Sequence, residues 1–170
     1  MPPAQIAALV VAGTACVYDL RTRRIPNALT FGAALVALLF QALTGGSPAL
    51  ATAGGGWLVG IVLFFPFFAL GGLGAGDVKL LGAIGAWIGP ASVLHVGLYS
   101  ALAGGVFAVV VALRAGYLRQ ALRNLRFLGT FWLTVGLKPV EGLTLDQQQT
   151  PRLAYAVPML TGLLVTLWLQ

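Results

Sequence analysis

The chain has 170 residues, of which 59% are hydrophobic, 8% charged and 23 glycine, and its mean hydropathy is +0.93. A water-facing domain carries roughly 25% charge, so this composition excludes a soluble enzyme, a disordered chain and a secreted disulfide scaffold, and leaves an all-α polytopic membrane protein. The net charge of +6 matches the basic excess of cytoplasmic loops and implies no nucleic-acid partner, while the single Cys16 offers neither a bridge nor a thiolate metal site.

The segment before Asp19 holds one helix, Ala4 to Tyr18. It lacks a basic start, so no cleavable signal peptide is expected, and Cys16 reads as a small packed residue. Between Arg24 and Asp77 lie 52 uncharged residues, enough for two spans of about 20 residues each. Thr44-Gly45-Gly46-Ser47-Pro48 is turn chemistry, which predicts helix 2 over Asn27 to Leu43 and helix 3 over Gly54 to Leu70.

Between Lys79 and Arg114 lie 34 uncharged residues, too many for one crossing of a hydrocarbon core about 30 Å thick. Gly89-Pro90-Ala91-Ser92 marks a turn, giving a short helix 4 (Val78 to Ile88) and a full helix 5 (Val93 to Leu113). The shortness of helix 4 implies either that Asp77 lies below the membrane surface or that neighbouring helices shield a tilted helix. From Arg114 to Arg152 the chain is basic and amphipathic. Arg119, Arg123 and Arg126 share one flank and Leu118, Leu122 and Leu125 another, a pattern that lies on membrane lipids. Phe131 to Leu137 is expected at the interface and Glu141 to Thr150 as an exposed loop, before helix 6 from Leu153 to Leu169.

Two crossings separate each charged cluster from the next, so all the clusters share one face, and the positive-inside rule makes that face cytoplasmic. The expectation is one membrane-embedded domain over residues 1–170, with six transmembrane helices and both termini outside. Trp57, Trp87 and Trp168 then fall at outer helix ends, where this ring prefers to sit.

An aspartate at the centre of a membrane helix costs on the order of 2.5 to 3.5 kcal/mol. Glu141 and Asp146 fall in the loop, but Asp19 and Asp77 both border apolar runs at the cytoplasmic face. Asp19 has a structural role available beside Arg21, Arg23 or Arg24, and Asp77 has one as the N-cap of helix 4. The glycines of Gly71-Gly72-Leu73-Gly74-Ala75-Gly76-Asp77 exceed what a cap requires, and suggest backbone at positive φ open to an extended peptide. Two carboxyl groups at close range hold a single proton between them. One then activates water while the other polarises a scissile carbonyl, with no cofactor and no metal.

Gly74-Ala75-Gly76-Asp77-Val78-Lys79 resembles the GxGD element of aspartyl membrane proteases, and Asp19 with Arg23-Arg24-Ile25-Pro26-Asn27 resembles the first-aspartate segment of type IV prepilin peptidases. Leu80-Leu81-Gly82-Ala83-Ile84-Gly85-Ala86-Trp87-Ile88-Gly89 is similar to the same family, in particular to its short tight-adherence (Flp-type) members. The resemblance implies an aspartic endopeptidase of the cytoplasmic (inner) membrane with Asp19 and Asp77 as the catalytic pair. It implies a prepilin or pseudopilin substrate, whose basic leader is cut off at the cytoplasmic border. Gly74, Gly76 and Lys79 are the candidate substrate contacts, with Lys79 facing leader or lipid. Longer members carry a cytoplasmic insertion with paired cysteines linked to methyl transfer; this sequence has no counterpart, so a peptidase lacking the methyltransferase is expected. Of the family's Pro-Tyr-Gly element, Ala154-Tyr155-Ala156 keeps the tyrosine. The alternative function is a small proton-coupled transporter with Asp19 and Asp77 as relay, although transporter sites lie near the bilayer midplane.

Overall fold

The computed structural model describes residues 1–136 and 154–170. It is all-helical over those residues: α1 (Pro3–Thr22), α2 (Asn27–Ala69), α3 (Ala75–Ile88), α4 (Pro90–Arg114), α5 (Leu118–Val135) and α6 (Ala156–Leu169). Of these, α1, α2 and α4 are long and apolar enough to cross a membrane. The expected loop at Glu141 to Thr150 lies outside the described residues.

The 43-residue α2 is two antiparallel limbs joined at Gly46, whose φ of 66° and ψ of −157° reverse the chain. Only glycine takes that conformation without a steric penalty. The directions of the limbs follow from what they touch. Asn27 and Phe31 meet Lys79, and Phe40 meets Trp87, so the first limb runs parallel to α3. In the second limb a β-carbon on Gly89 would meet Thr52, one on Gly56 would meet Gly85, and one on Gly60 would meet Leu81 and Gly82, so that limb runs antiparallel. The expected turn is therefore present but shorter than its composition suggests: Ser47, Pro48 and the residues to 53 are helical. Proline at a first helical turn gives up an amide that has no partner there anyway.

The α3 helix is the axis of the bundle. Every residue from Val78 to Trp87 except Lys79 is buried, including Leu80, Leu81 and Ile84 with no exposed surface. Neighbouring helices thus shield this 14-residue helix along most of its length. Its Gly89 end is level with Thr52, six residues along from the Gly46 turn. Two glycine pairs let α2 and α3 meet backbone to backbone: Gly56 against Gly85, and Gly60 against Gly82 and Leu81. Close approach of this kind replaces the hydrophobic drive that lipid denies to helix association. Ser100 packs on Gly162 between α4 and α6, and α1 joins the bundle through a stripe of Ala8, Ala12, Ala15, Cys16 and Asp19.

Several hydroxyls on the apolar helices satisfy themselves. Thr14, Thr44, Thr161 and Thr166 each donate to the carbonyl four residues back, which removes the cost of an unpaired donor in an apolar medium. Trp87, expected at an outer helix end, is the second-last residue of α3 and is buried in the core against Phe40, with ring centroids 5.7 Å apart. Trp57 lies well inside its limb, packed on Gly82, because that limb begins before Gly54. Only Trp168 is exposed at a helix end, as expected.

Candidate active site

One end of the bundle gathers the C-terminus of α1, the start of α2, and the first turns of α3 and α6. Asp19 lies in the last turn of α1, which runs on to Thr22 past the expected end at Tyr18. It is 6% exposed, and its Oδ2 accepts the Ala156 N–H at 3.1 Å. Ala156 is the first residue of α6, so Asp19 occupies the positive end of that helix, where an anion is favoured. Arg23, with φ of 54°, closes α1 in the left-handed conformation and donates its N–H to the Asp19 carbonyl.

Asp77 is not the N-cap expected of it. The α3 helix starts three residues earlier than Val78, Gly74 is its N-cap and Asp77 is its third residue. From there its Oδ2 reaches back to accept the Gly74 N–H at 3.1 Å, while its own N–H donates to the Gly74 carbonyl at 3.1 Å. This is the carboxylate half of a capping box, since glycine has no side chain to supply the other half. The expectation of positive φ across the glycine segment is also corrected. Gly71 alone among its four glycines has positive φ; Gly74 is extended and Gly76 helical. The glycines there serve close approach instead. A β-carbon on Gly76 would come 3.2 Å from the Ile25 β-carbon, and one on Gly74 would come 3.1 Å from Asp77 Oδ2.

The two carboxyl groups lie within Coulombic range of each other, and Asp77 lies within range of Tyr155. Tyr155 adjoins the amide that holds Asp19. Its hydroxyl donates to the Ser100 carbonyl at 3.3 Å, its ring meets Phe64 edge-on at 5.8 Å, and the absence of a side chain at Gly104 makes room for it. Sequence reasoning assigned no role to Tyr155 or the Ala156 amide. The signal available was topological, because an even number of passes along the bundle after Asp77, those of α3 and α4, returns the start of the last helix to the same end. Lys79 faces away from the pair. Its Nζ donates to Asn27 Oδ1 at 3.0 Å and sits 5.1 Å over the Phe31 ring, tying α3 to the start of α2.

Two acids, each held by a backbone amide of a helix start and each near the other, form a site suited to proton transfer with water. Comparison with known proteins bears on what such a site is for. The leader peptide-processing enzyme for type 4 prepilin-like proteins of Escherichia coli O78:H11 (strain H10407 / ETEC) is 32% identical over 103 residues, covering 56% of this chain and 38% of that protein. The prepilin leader peptidase/N-methyltransferase of Aeromonas salmonicida (strain A449) is 38% identical over 97 residues, covering 54% of this chain and 33% of that protein. This chain thus spans little more than a third of the length of these relatives, and no solved structure matches it significantly. The type IV leader peptidase family profile matches residues 6–109, a stretch that includes both aspartates. With well over half of the sequence inside that match, the chain belongs to the type IV leader peptidase family.

Proposed function

We propose that this protein is an integral-membrane aspartic endopeptidase that removes the basic leader of type IV or Flp-type prepilins at the cytoplasmic border of the inner membrane. The observation that carries the reading is the convergence of Asp19 and Asp77 at one end of the bundle, each oriented by a helix-start amide. In this reading both limbs of α2, together with α1, α3, α4 and α6, cross the membrane. The end bearing Arg21, Arg23, Arg24 and Arg114 faces the cytoplasm.

A water between the carboxyls gives up a proton to the ionised aspartate and attacks the scissile carbonyl, whose oxygen the protonated aspartate polarises. The tetrahedral intermediate collapses as the amide nitrogen takes a proton from the pair and leaves as the new N-terminus. The backbone at Gly74 and Gly76 and the ammonium of Lys79 border the path of the leader.

Co-expression with a prepilin in membranes tests the assignment. Asp19→Asn and Asp77→Asn each keep the size and polarity of the side chain and lose its titration, so each abolishes leader removal while the protein still inserts. Normal processing by either variant would refute the dyad. Proton-coupled flux without cleavage would favour a transporter.

A further inference from the structure

The α5 helix is the part of the molecule that the peptidase chemistry does not use. It follows α4 through Gly116, whose φ of 74° permits the sharp departure, and it carries Arg119, Arg123 and Arg126 with no acidic residue. Its residues differ in exposure around the axis. Leu118, Ala121, Leu128 and Phe131 are half-buried, whereas Leu122, Leu125 and Leu133 are 51%, 65% and 89% exposed. At 100° per residue those three leucines form one stripe, and the three exposed arginines form the stripe beside it. A notch of about 440 Å³ between the stripes is lined by Leu118, Arg119, Leu122, Arg123 and Arg126. Thr130 and Thr134 turn their hydroxyls inward to the carbonyls of Arg126 and Thr130, at 3.1 and 2.9 Å, so neither adds a free hydroxyl beside the leucines and guanidinium groups.

Exposed leucines flanked by guanidinium groups match a surface that is apolar on one side and anionic on the other. The geometry points to α5 as an in-plane helix that docks on the anionic phospholipid leaflet: Leu122, Leu125 and Leu133 enter the acyl region, and Arg119, Arg123 and Arg126 hold lipid phosphates. Guanidinium suits this role because it binds phosphate in two-point fashion, and the apolar stripe supplies the insertion that a soluble anion could not satisfy. This inference stands independently of the catalytic assignment.

The test places a spin label at Leu125→Cys in a Cys16→Ala background of the full chain. The protein is reconstituted in phosphatidylcholine with or without phosphatidylglycerol, and collision with oxygen is compared with collision with a water-soluble nickel chelate. Phosphatidylglycerol should move the label to acyl depth, with the docked-to-undocked ratio rising on the order of fivefold per arginine engaged and falling as salt is added. R119Q/R123Q/R126Q should lose the response, and R119K/R123K/R126K should keep most of it, which separates charge from misfolding. A label equally deep in both lipid compositions, a full response in the glutamine variant, or a response to a soluble acidic peptide in place of the lipid would overturn the proposal.

Discussion

Gly56→Ala tests the claim that backbone contact between α2 and α3 holds the bundle. The added β-carbon would overlap the Gly85 carbonyl oxygen and lie 2.7 Å from its carbon and 3.0 Å from the Gly89 carbonyl carbon. Carbon atoms rest at about 3.5 to 4.0 Å, so the helices must part by roughly 1 Å. A gap of that size forfeits a quarter to a half of each dispersion contact along the seam, including those of buried Leu81 and Ile84. Overpacking costs about 1 to 3 kcal/mol in ordinary cores. Here the obstacle is backbone on the far side, so the upper end is expected. Gly54 is the internal control: it lies on the same limb, and its β-carbon would meet nothing within 4 Å. Gly54→Ala should be neutral or stabilising by up to about 1 kcal/mol through helix propensity. Thermal or denaturant unfolding of the detergent-solubilised variants should therefore separate them by several kcal/mol, with leader cleavage lost in Gly56→Ala as α3 carries Asp77 out of place. Equal stability of the two variants would refute the seam.

Gly74→Ala should reduce cleavage more than stability, because its methyl group would press on Asp77 Oδ2 at 3.1 Å; comparing kcat with the melting temperature checks this. Lys79→Met removes the bond to Asn27 and the Phe31 contact, costing about 1 kcal/mol of stability. It should shift KM for the prepilin while kcat holds, whereas an equal fall in kcat would move Lys79 into the chemistry. Ser100 Oγ is buried without a partner, so Ser100→Ala should be neutral or stabilising by about 1 kcal/mol, as read by thermal unfolding.

The charge clusters and the two turn signals were enough to divide the apolar chain correctly, because water-seeking groups must leave a bundle at its ends and Gly-Pro chemistry marks reversals. They also brought Asp19 and Asp77 to the same end, where the structure has them. What they did not convey is which apolar face meets protein and which meets lipid, since leucine suits both. That is why the sequence left open whether neighbours shield α3 and gave no sign of the burial of Trp87. The glycine segment before Asp77 misled for a related reason. Glycine frees φ and also permits contact, and only the partner across the gap, Ile25 for Gly76, shows which property is used. The grip of the Ala156 amide on Asp19 was invisible because a backbone donor has no residue type.

The alanine stripe of α1 has a mechanical consequence. Asp77 travels with the glycine-sealed α2–α3 unit, while Asp19 travels with α1 and is fastened to the first amide of α6. The face by which α1 joins the bundle is mostly alanine methyl groups, and a β-carbon on Gly13 of α1 would touch nothing within 4 Å. Sliding along such a row breaks no hydrogen bond, so the spacing of the acids is a soft coordinate. In the proposed peptidase, a substrate helix leaning on one side of the bundle would tune it.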